Sequence, residues 1–356
     1  TMPEVTVALS AIPNTGKTTL FNRLTGARQT VGNWPGVTVR KRTGRFRLDG
    51  YDVSLVDLPG AYSITPTTEE EQIVLDFLLR TPPDVVLNIL DARNLYRGLG
   101  LTLQLARSGL PTVVVVNMMD EARSAGISVD AQALSEHLGA PVIPIVARSG
   151  EGIEQLEQAL LQVLTKTERP RPPAISFPPV LEESIMALAR RIEAATGEST
   201  LSETFLATRL LQGGKPTEDL VRREPHLATI AAEAGERRRR VETALGSDIL
   251  TTCAQCRFGA ARGLVLEATR DLPRVSDVVT ERLDAVLLHP VLGLPLFFLL
   301  MFAVFAGIFA LGTPLQDGVA AQFQTLGTWL KAGPTMAALP PLASSFIVDG
   351  LLQGLG

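Results

Sequence analysis

The sequence predicts an α/β domain, a mostly parallel sheet with helices on both faces, followed by an all-α helical domain and the start of an α-helical membrane domain. Three observations predict this. Apolar, β-branched runs alternate with amphipathic patterns up to about residue 165, as in strands joined by crossover helices. Residues from about 170 to 283 are rich in Ala, Glu, Arg and Leu and hold few strand-like runs. From Ala285 to Gln316 there is no Asp, Glu, Lys or Arg, and Val291 to Gly312 carries no polar side chain. A run of about 20 apolar residues is what a bilayer-spanning helix requires, whereas a buried helix of a soluble protein usually keeps a polar stripe. The expected boundaries are 1–166 for the α/β domain, 167–180 for a Pro-rich linker, 181–275 for the helical domain and 286–356 for the start of the membrane domain, with its span at about 291–312.

The first element is a strand, Val5 to Leu9, running into Ala11-Ile12-Pro13-Asn14-Thr15-Gly16-Lys17-Thr18 and then a helical pattern from Lys17 to Leu24. Strand, glycine-containing loop, Lys-Thr and helix together form a phosphate-binding loop, with Ala11 in place of the usual first glycine. Its backbone N–H groups and the positive end of the helix dipole favour an anion. Ala11, Pro13, Asn14, Thr15, Gly16, Lys17, Thr18 and Thr19 are the expected phosphate-side residues. Lys17 reaches the β- and γ-phosphates and the Thr18 hydroxyl ligates magnesium. From residue chemistry alone, Asn14 either shapes the turn or ligates an ion.

Next, Arg28 to Thr38 reads as a loop, because glycines and a proline surround an apparently exposed Trp34. Thr38 stands where Ras-like GTPases carry their second magnesium ligand. Gly36, Val37 and Thr38 are then expected to order around the γ-phosphate. Asp49-Gly50, between two strand-like runs, signals a hairpin. The second of those runs ends in Asp57-Leu58-Pro59-Gly60, where Asp57 can hold magnesium through water and the Gly60 N–H can meet the γ-phosphate. Ala61 follows where Ras-like enzymes carry a water-orienting glutamine, so slow intrinsic hydrolysis is expected.

Strands Val85 to Asp91 and Thr112 to Val116 come next, the latter ending in Asn117-Met118-Met119-Asp120. This NxxD can select guanine, since the Asp120 carboxylate accepts from the N1–H and exocyclic amine, a donor pair adenine lacks. The plainer reading is that Asp120 caps the following helix. A last strand, Val142 to Val146, precedes Ala147 and Arg148, whose backbone can meet the guanine oxygen. Val146 replaces the serine common at this element. Asn14, Lys17, Thr38 and Gly60 are the residues expected to carry hydrolysis, with GTP and GDP as ligands. NxxD disfavours an ATPase.

Composition narrows the classes. At 356 residues the chain is long enough for about two or three domains. A net charge of −4, with both signs interspersed, gives no basis for a nucleic-acid partner. The two cysteines, Cys253 and Cys256, suggest no disulfide framework and fit a reducing compartment. Their CxxC spacing is expected to be two buried thiols on one helix face, with a metal or redox role as the alternative. Arg237 to Arg240 reads as a solvated helix face, the alternative being a contact with acidic protein surface or lipid headgroups. Helical patterns at 182–196, 202–212, 218–246 with breaks, and 249–268 make up the helical domain. Arg274 and Arg282 before the apolar run agree with a cytoplasmic N-terminal side, and Gly312-Thr313-Pro314 is expected to end the span.

The five nucleotide elements in order, with VGNWPGVTV, DLPGAYSITPTTEEE, DARNLYRGLGLTLQLARSGLP, NMMD and LHPVLGLP, resemble the ferrous-iron transport protein B family. The resemblance implies a Ras-like, cytoplasmic GTPase domain, a helical domain said to slow nucleotide release, and a polytopic domain in the bacterial inner membrane that carries ferrous iron. It implies that Asn14 binds potassium, completed by the backbone carbonyls of Gly32 and Trp34, and that hydrolysis is potassium-activated. The lipid bilayer, the remaining transmembrane helices, small cytosolic Feo proteins and further copies of the chain are the partners it suggests. Ile12 and Ala11 depart from the family's usual Gly-Asn-Pro-Asn. The alternative is a membrane-tethered regulatory GTPase that binds a protein or ribosomal partner and transports nothing; further hydrophobic spans beyond Gly356 would favour the transporter.

Overall fold

The computed structural model describes residues 2–26, 29–35, 37–165, 172–197, 200–271 and 293–332. It divides into two compact units, Thr1–Leu272 and Pro273–Gly356. The first is built on a seven-stranded sheet in the order β2-β3-β4-β1-β5-β6-β8. Its strands are β1 (Glu4–Ala11), β2 (Gln29–Asn33), β3 (Arg40–Leu48), β4 (Tyr51–Asp57), β5 (Val85–Asp91), β6 (Thr112–Asn117) and β8 (Val142–Pro144). From β4 through β1, β5 and β6 to β8 the neighbours are parallel; β2 and β3 are antiparallel additions at one edge. The Asp49-Gly50 hairpin forms as expected, pairing Leu48 with Tyr51, with Gly50 at φ 83°.

Alternation along the strands sends side chains to both faces. Val5, Val7 and Leu9 of β1 and Val85, Leu87 and Ile89 of β5 pack with Leu20 and Phe21 of α1 (Lys17–Thr25) and Leu156 and Leu160 of α6 (Ile153–Thr165). On the other face, Ala8, Val56 and Val86 share a core with Val74 and Leu78 of α2 (Glu69–Arg80) and Leu101 and Leu105 of α3 (Leu95–Arg107). That core runs on into the helical region, through Leu181, Ile185 and Leu188 of α7 (Pro179–Thr196) and Phe205 and Leu210 of α8 (Glu203–Gln212). The helical patterns expected from sequence appear as α7, α8, α9 (Lys215–Arg223), α10 (Ala228–Leu245) and α11 (Ile249–Ala268).

Several features differ from the sequence expectation. Gln29 to Asn33 is a strand rather than loop: glycine hides its propensity, but the edge of β3 offers it a ladder. Trp34 is buried at 7% exposure, edge-on to Phe77 with centroids 5.7 Å apart and with Lys41 over its ring. A two-stranded sheet pairs β7 (Ile127–Val129) with β9 (Thr269–Asp271), strands too short to show alternation. The basic run is divided: Arg239 and Arg240 are exposed, Arg237 donates to Glu233, and the half-buried Arg238 donates to the Leu211 carbonyl. Cys253 is buried and Cys256 half-buried, and among the described residues no group of three or more His, Cys, Asp or Glu could hold a metal ion.

Of the second unit the described part is α12 (Gly293–Ala332), whose segment Gly293–Leu330 is long and apolar enough to cross a membrane. The helix does not stop at Gly312-Thr313-Pro314; it continues through Pro314. Loss of one backbone donor there does not end a helix whose following residues, such as Val319, Ala320 and Ala321, still favour it. Arg274 and Arg282, on which the charge bias was expected, lie outside the described residues.

Candidate functional site

The end of β1 and the start of α1 bracket a loop with two residues in the left-handed region, Asn14 at φ 67° and Gly16 at φ 82°. Such backbone is unusual for a non-glycine residue and turns successive N–H groups toward one point. No side chain caps α1, so its first N–H groups remain available to an anion. Thr15 is buried and its hydroxyl donates to the Ile12 carbonyl, closing the loop on itself. Pro13, Asn14, Thr18 and Thr19 are exposed, and Ala11 is buried at the strand end.

Lys17 turns toward β4. Its ammonium donates to Asp57 Oδ1 at 2.5 Å and also to the Leu58 carbonyl. Both side chains are largely shielded, at 16% and 12% exposure, so the pair is screened less than a surface bridge. The Asp57–Gly60 turn is pinned to β1 by Leu58 N–H on the Leu9 carbonyl and Ala61 N–H on the Ala11 carbonyl. Gly60 lies against Pro13, where a β-carbon would come 3.2 Å from Pro13 Cγ.

Asn117 holds the other side together. Buried at 3% exposure, its amide donates to the Thr15 carbonyl at 2.9 Å, and its Oδ1 accepts from Ala147 N–H at 2.9 Å. A β-carbon on Gly16 would stand 2.2 Å from the Asn117 amide nitrogen, so the close approach of loop and β6 requires glycine. Met118, at φ 64°, is the N-cap of α4 (Met119–Ser124), and Asp120 is the second residue of that helix. Asp120 does not cap that helix. Its carboxylate meets Arg148 at 3.1 Å and is 35% exposed. Val146 and Ala147 are buried and the Arg148 side chain is 82% exposed.

Sequence reasoning missed a third brace. Arg23, in the last turn of α1, donates to the carbonyls of Ala147 and Arg148. It ties the phosphate-loop helix to the segment expected beside the base; a single arginine in a helix gives no sequence signal of this. Gln104 of α3 was missed likewise. Its Oε1 accepts from Ser63 Oγ and Ile64 N–H, and its Nε2 donates to Thr65 Oγ1, so it fixes the segment after Gly60.

The phosphate loop, Asp57, Gly60, Asn117, Met118, Asp120, Val146, Ala147 and Arg148 thus converge at the C-terminal ends of the parallel strands, where open α/β sheets bind ligands. The segment from Gly32 to Thr38 is not joined to them. Gly32 pairs with Lys41 across β3, the Trp34 carbonyl accepts from Val37 N–H, and Thr38 is exposed. Among the described residues no hydrogen bond links Gly32, Trp34 or Thr38 to the loop or to Asp57, and Gly36 lies outside the described residues.

Comparison with known proteins supplies the context. Residues 5–160 match the family model described as ferrous iron transport protein B, and residues 177–270 match the FeoB cytosolic helical domain. The chain is 34% identical over 357 residues to an Fe(2+) transport protein A/Fe(2+) transporter FeoB fusion protein of Porphyromonas gingivalis. It is 35% identical over 369 residues to the Fe(2+) transporter FeoB of Salmonella typhimurium. Each match takes in 99% of this chain but only 42% and 45% of the relative, so the chain spans less than half the length of these proteins. Among solved structures, the cytosolic domain of L. pneumophila FeoB is 34% identical with a TM-score of 0.64, covering 74% of this chain and 99% of that one. The cytosolic domain of the T. maritima FeoB iron transporter in a GMPPNP form is 29% identical, also with a TM-score of 0.64, over 75% of this chain and 100% of that one. The same T. maritima domain is known in a GDP form.

Proposed function

This chain belongs to the ferrous iron transport protein B (FeoB) family, and from that premise we propose that it is the GTP-binding and hydrolysing cytoplasmic module of an inner-membrane ferrous-iron transporter. In this reading hydrolysis gates or powers iron uptake through a membrane domain that begins with α12. The brace from the phosphate loop through Asn117 to Ala147 carries the proposal, because it makes one site of a phosphate cradle and a base-selecting loop. GDP and GMPPNP forms of the T. maritima relative support the choice of nucleotide.

The reaction is attack of water on the γ-phosphate. Lys17, released from Asp57, places its charge on the β- and γ-phosphates, and the loop N–H groups between Asn14 and Thr18 receive the oxygens. Asp120 selects guanine, and the Ala147 and Arg148 backbone lies beside the base. Ala61, buried at 1% exposure, offers no group to orient water, so turnover is slow without help from backbone N–H groups or a cation. The oxygens present suit a hard cation: the Asp57 carboxylate, and a Thr18 hydroxyl that makes no hydrogen bond among the described residues. Magnesium held by Thr18, by Thr38 and, through water, by Asp57 would neutralise phosphate charge. Thr38 reaches that position only when the segment between β2 and β3 reorders, the type of order change by which GTPases switch.

Thr38→Ala is therefore expected to reduce magnesium-dependent hydrolysis at least about tenfold while changing GDP affinity little, a loss of transition-state rather than ground-state interaction. Parallel turnover and GDP-binding measurements check it, and wild-type values in both would remove Thr38 from the site.

Asn14, exposed and held at φ 67° beside the phosphates, presents its amide to a monovalent cation, with the carbonyls of Gly32 and Trp34 joining it in the reordered state. GTP hydrolysis by the chain is expected to run several-fold faster in potassium than in sodium at equal ionic strength, and Asn14→Ala is expected to erase the difference. Equal wild-type rates in both salts would dismiss the cation, leaving the Asn14 backbone as the shaper of the turn. Small cytosolic Feo proteins and further copies of the chain are the proposed partners of the assembled transporter.

A further inference from the structure

Away from the nucleotide site, two arginines of the helical region are buried without an ion pair. Arg209 of α8 and Arg257 of α11 are 6% and 8% exposed. Neither guanidinium makes a hydrogen bond or ion pair with any described residue, and Nε of each is buried without a partner. Their contacts are with aromatic faces, Arg209 over Phe205 and Arg257 over Phe258. Both line a cavity of about 40 Å³, together with Gln104, Arg107, Gln212 and Cys253.

Glu71 is near enough to raise the Arg257 pKa, but it makes no ion pair with either arginine, and its Oε2 accepts from the N–H and hydroxyl of Thr67. Burial, and less strongly Arg257, pushes Arg209 down to about 10, which leaves it charged at neutral pH. Burial raises the Cys253 thiol, so it remains neutral there and supplies no negative charge. Arg107 adds a third cation whose Nη1 donates to the Pro173 carbonyl. A buried guanidinium without a partner is strongly destabilising, and two of them facing one cavity define a site shaped for an anion.

We propose that this cavity binds a small inorganic anion, chloride or a tetrahedral oxyanion, clasped between Arg209 and Arg257. Its size suits a small ion, with about 40 Å³ of space. Guanidinium forks match oxyanions bidentately and still satisfy a halide. The placement gives the anion a consequence. Gln104, on the cavity wall, also holds Ser63, Ile64 and Thr65 after the Asp57–Gly60 turn. The anion therefore joins α8 and α11 to the helix that positions that segment. This inference does not depend on the chain binding GTP.

Cys253 lines the cavity and reports on it. In the full chain carrying Cys256→Ser, the rate of Cys253 modification by methyl methanethiosulfonate is measured against rising chloride, phosphate or gluconate at constant ionic strength. Chloride or phosphate is expected to slow the reaction saturably, by about tenfold at ten times its dissociation constant, because only the empty fraction reacts. Gluconate, too large for the cavity, is expected to have no effect. Protection by chloride identifies a halide site and protection by phosphate alone an oxyanion site. Rates unaffected by both small anions, or equally slowed by gluconate, would overturn the proposal. Arg257→Gln is expected to abolish the protection, and protection surviving in that variant would place the anion elsewhere, the phosphate loop included.

Discussion

Asp120→Asn is expected to lower the affinity of the chain for GTP and GDP by about 10²–10³-fold and to turn its preference toward xanthosine nucleotides. The carboxylate offers two acceptors to the N1–H and 2-amino group of guanine, and hydrogen bonds to a charged group contribute about 1.5–3 kcal/mol each. The amide of asparagine keeps one acceptor and presents a donor to the 2-amino group, which adds a clash to the loss. Xanthine carries an oxygen at that position and accepts from the new donor. The expected loss is smaller than the ~10⁴–10⁵ of a fully enclosed polar site, because Asp120 is 35% exposed and already meets Arg148 at 3.1 Å. Competition binding of GDP and XDP to both proteins measures it. An unchanged GDP affinity in the variant would remove Asp120 from the base site.

Asn117→Ala acts on the scaffold rather than the ligand. It removes two hydrogen bonds of 2.9 Å at a residue 3% exposed, leaving the Thr15 carbonyl and the Ala147 N–H without these partners. An unsatisfied buried group costs about 1–3 kcal/mol, so a loss of roughly 2–5 kcal/mol of stability is expected. Nucleotide affinity is expected to fall with it, because the phosphate loop and the base-side segment no longer share a brace. Urea unfolding of the chain gives the first quantity and GDP binding the second. A variant less than about 0.5 kcal/mol destabilised, with GDP binding intact, would show that Arg23 and the loop backbone suffice.

Much of this architecture was legible in the sequence because the signals are local. The β-branched runs Val85 to Asp91 and Thr112 to Asn117 are strands over the expected residues, and Lys17 opens α1 directly after its loop. Asp-Gly marked the β3–β4 hairpin because that turn needs a residue at positive φ, and Gly50 supplies it. What escaped depends on partners distant in the chain. Trp34 reads as exposed among glycines and a proline, yet Phe77, forty-odd residues on, covers it. The exposed edge strand β2 exists because β3 presents a ladder to it. NxxD pointed to the base, but the brace from Asn117 to Thr15 was invisible until β1 and β6 were set in one sheet. The unpartnered guanidinium nitrogens of Arg209 and Arg257 likewise follow from packing, since in sequence they are ordinary residues of amphipathic helices.

The proposed function requires a change from this static arrangement. Lys17 pairs with Asp57, and Thr38 stands apart in the turn between β2 and β3. In the proposed function nucleotide phosphates compete directly for Lys17, so that binding and release of Asp57 would be the same event. Gln104 of α3 holds Ser63, Ile64 and Thr65 after the Asp57–Gly60 turn, and α3 packs on α11 of the helical region. Occupancy of the nucleotide site therefore has a physical route to the helical region through contacts already present.

The most direct test is steady-state hydrolysis by the full chain of GTP and, separately, ATP, at equal concentration with magnesium in potassium buffer. Slow turnover of GTP, at least about 100-fold faster than that of ATP, is the result expected from the Asp120 contacts. Equal turnover of the two nucleotides, or no turnover of GTP under any of these conditions, would contradict a guanine-selective hydrolase.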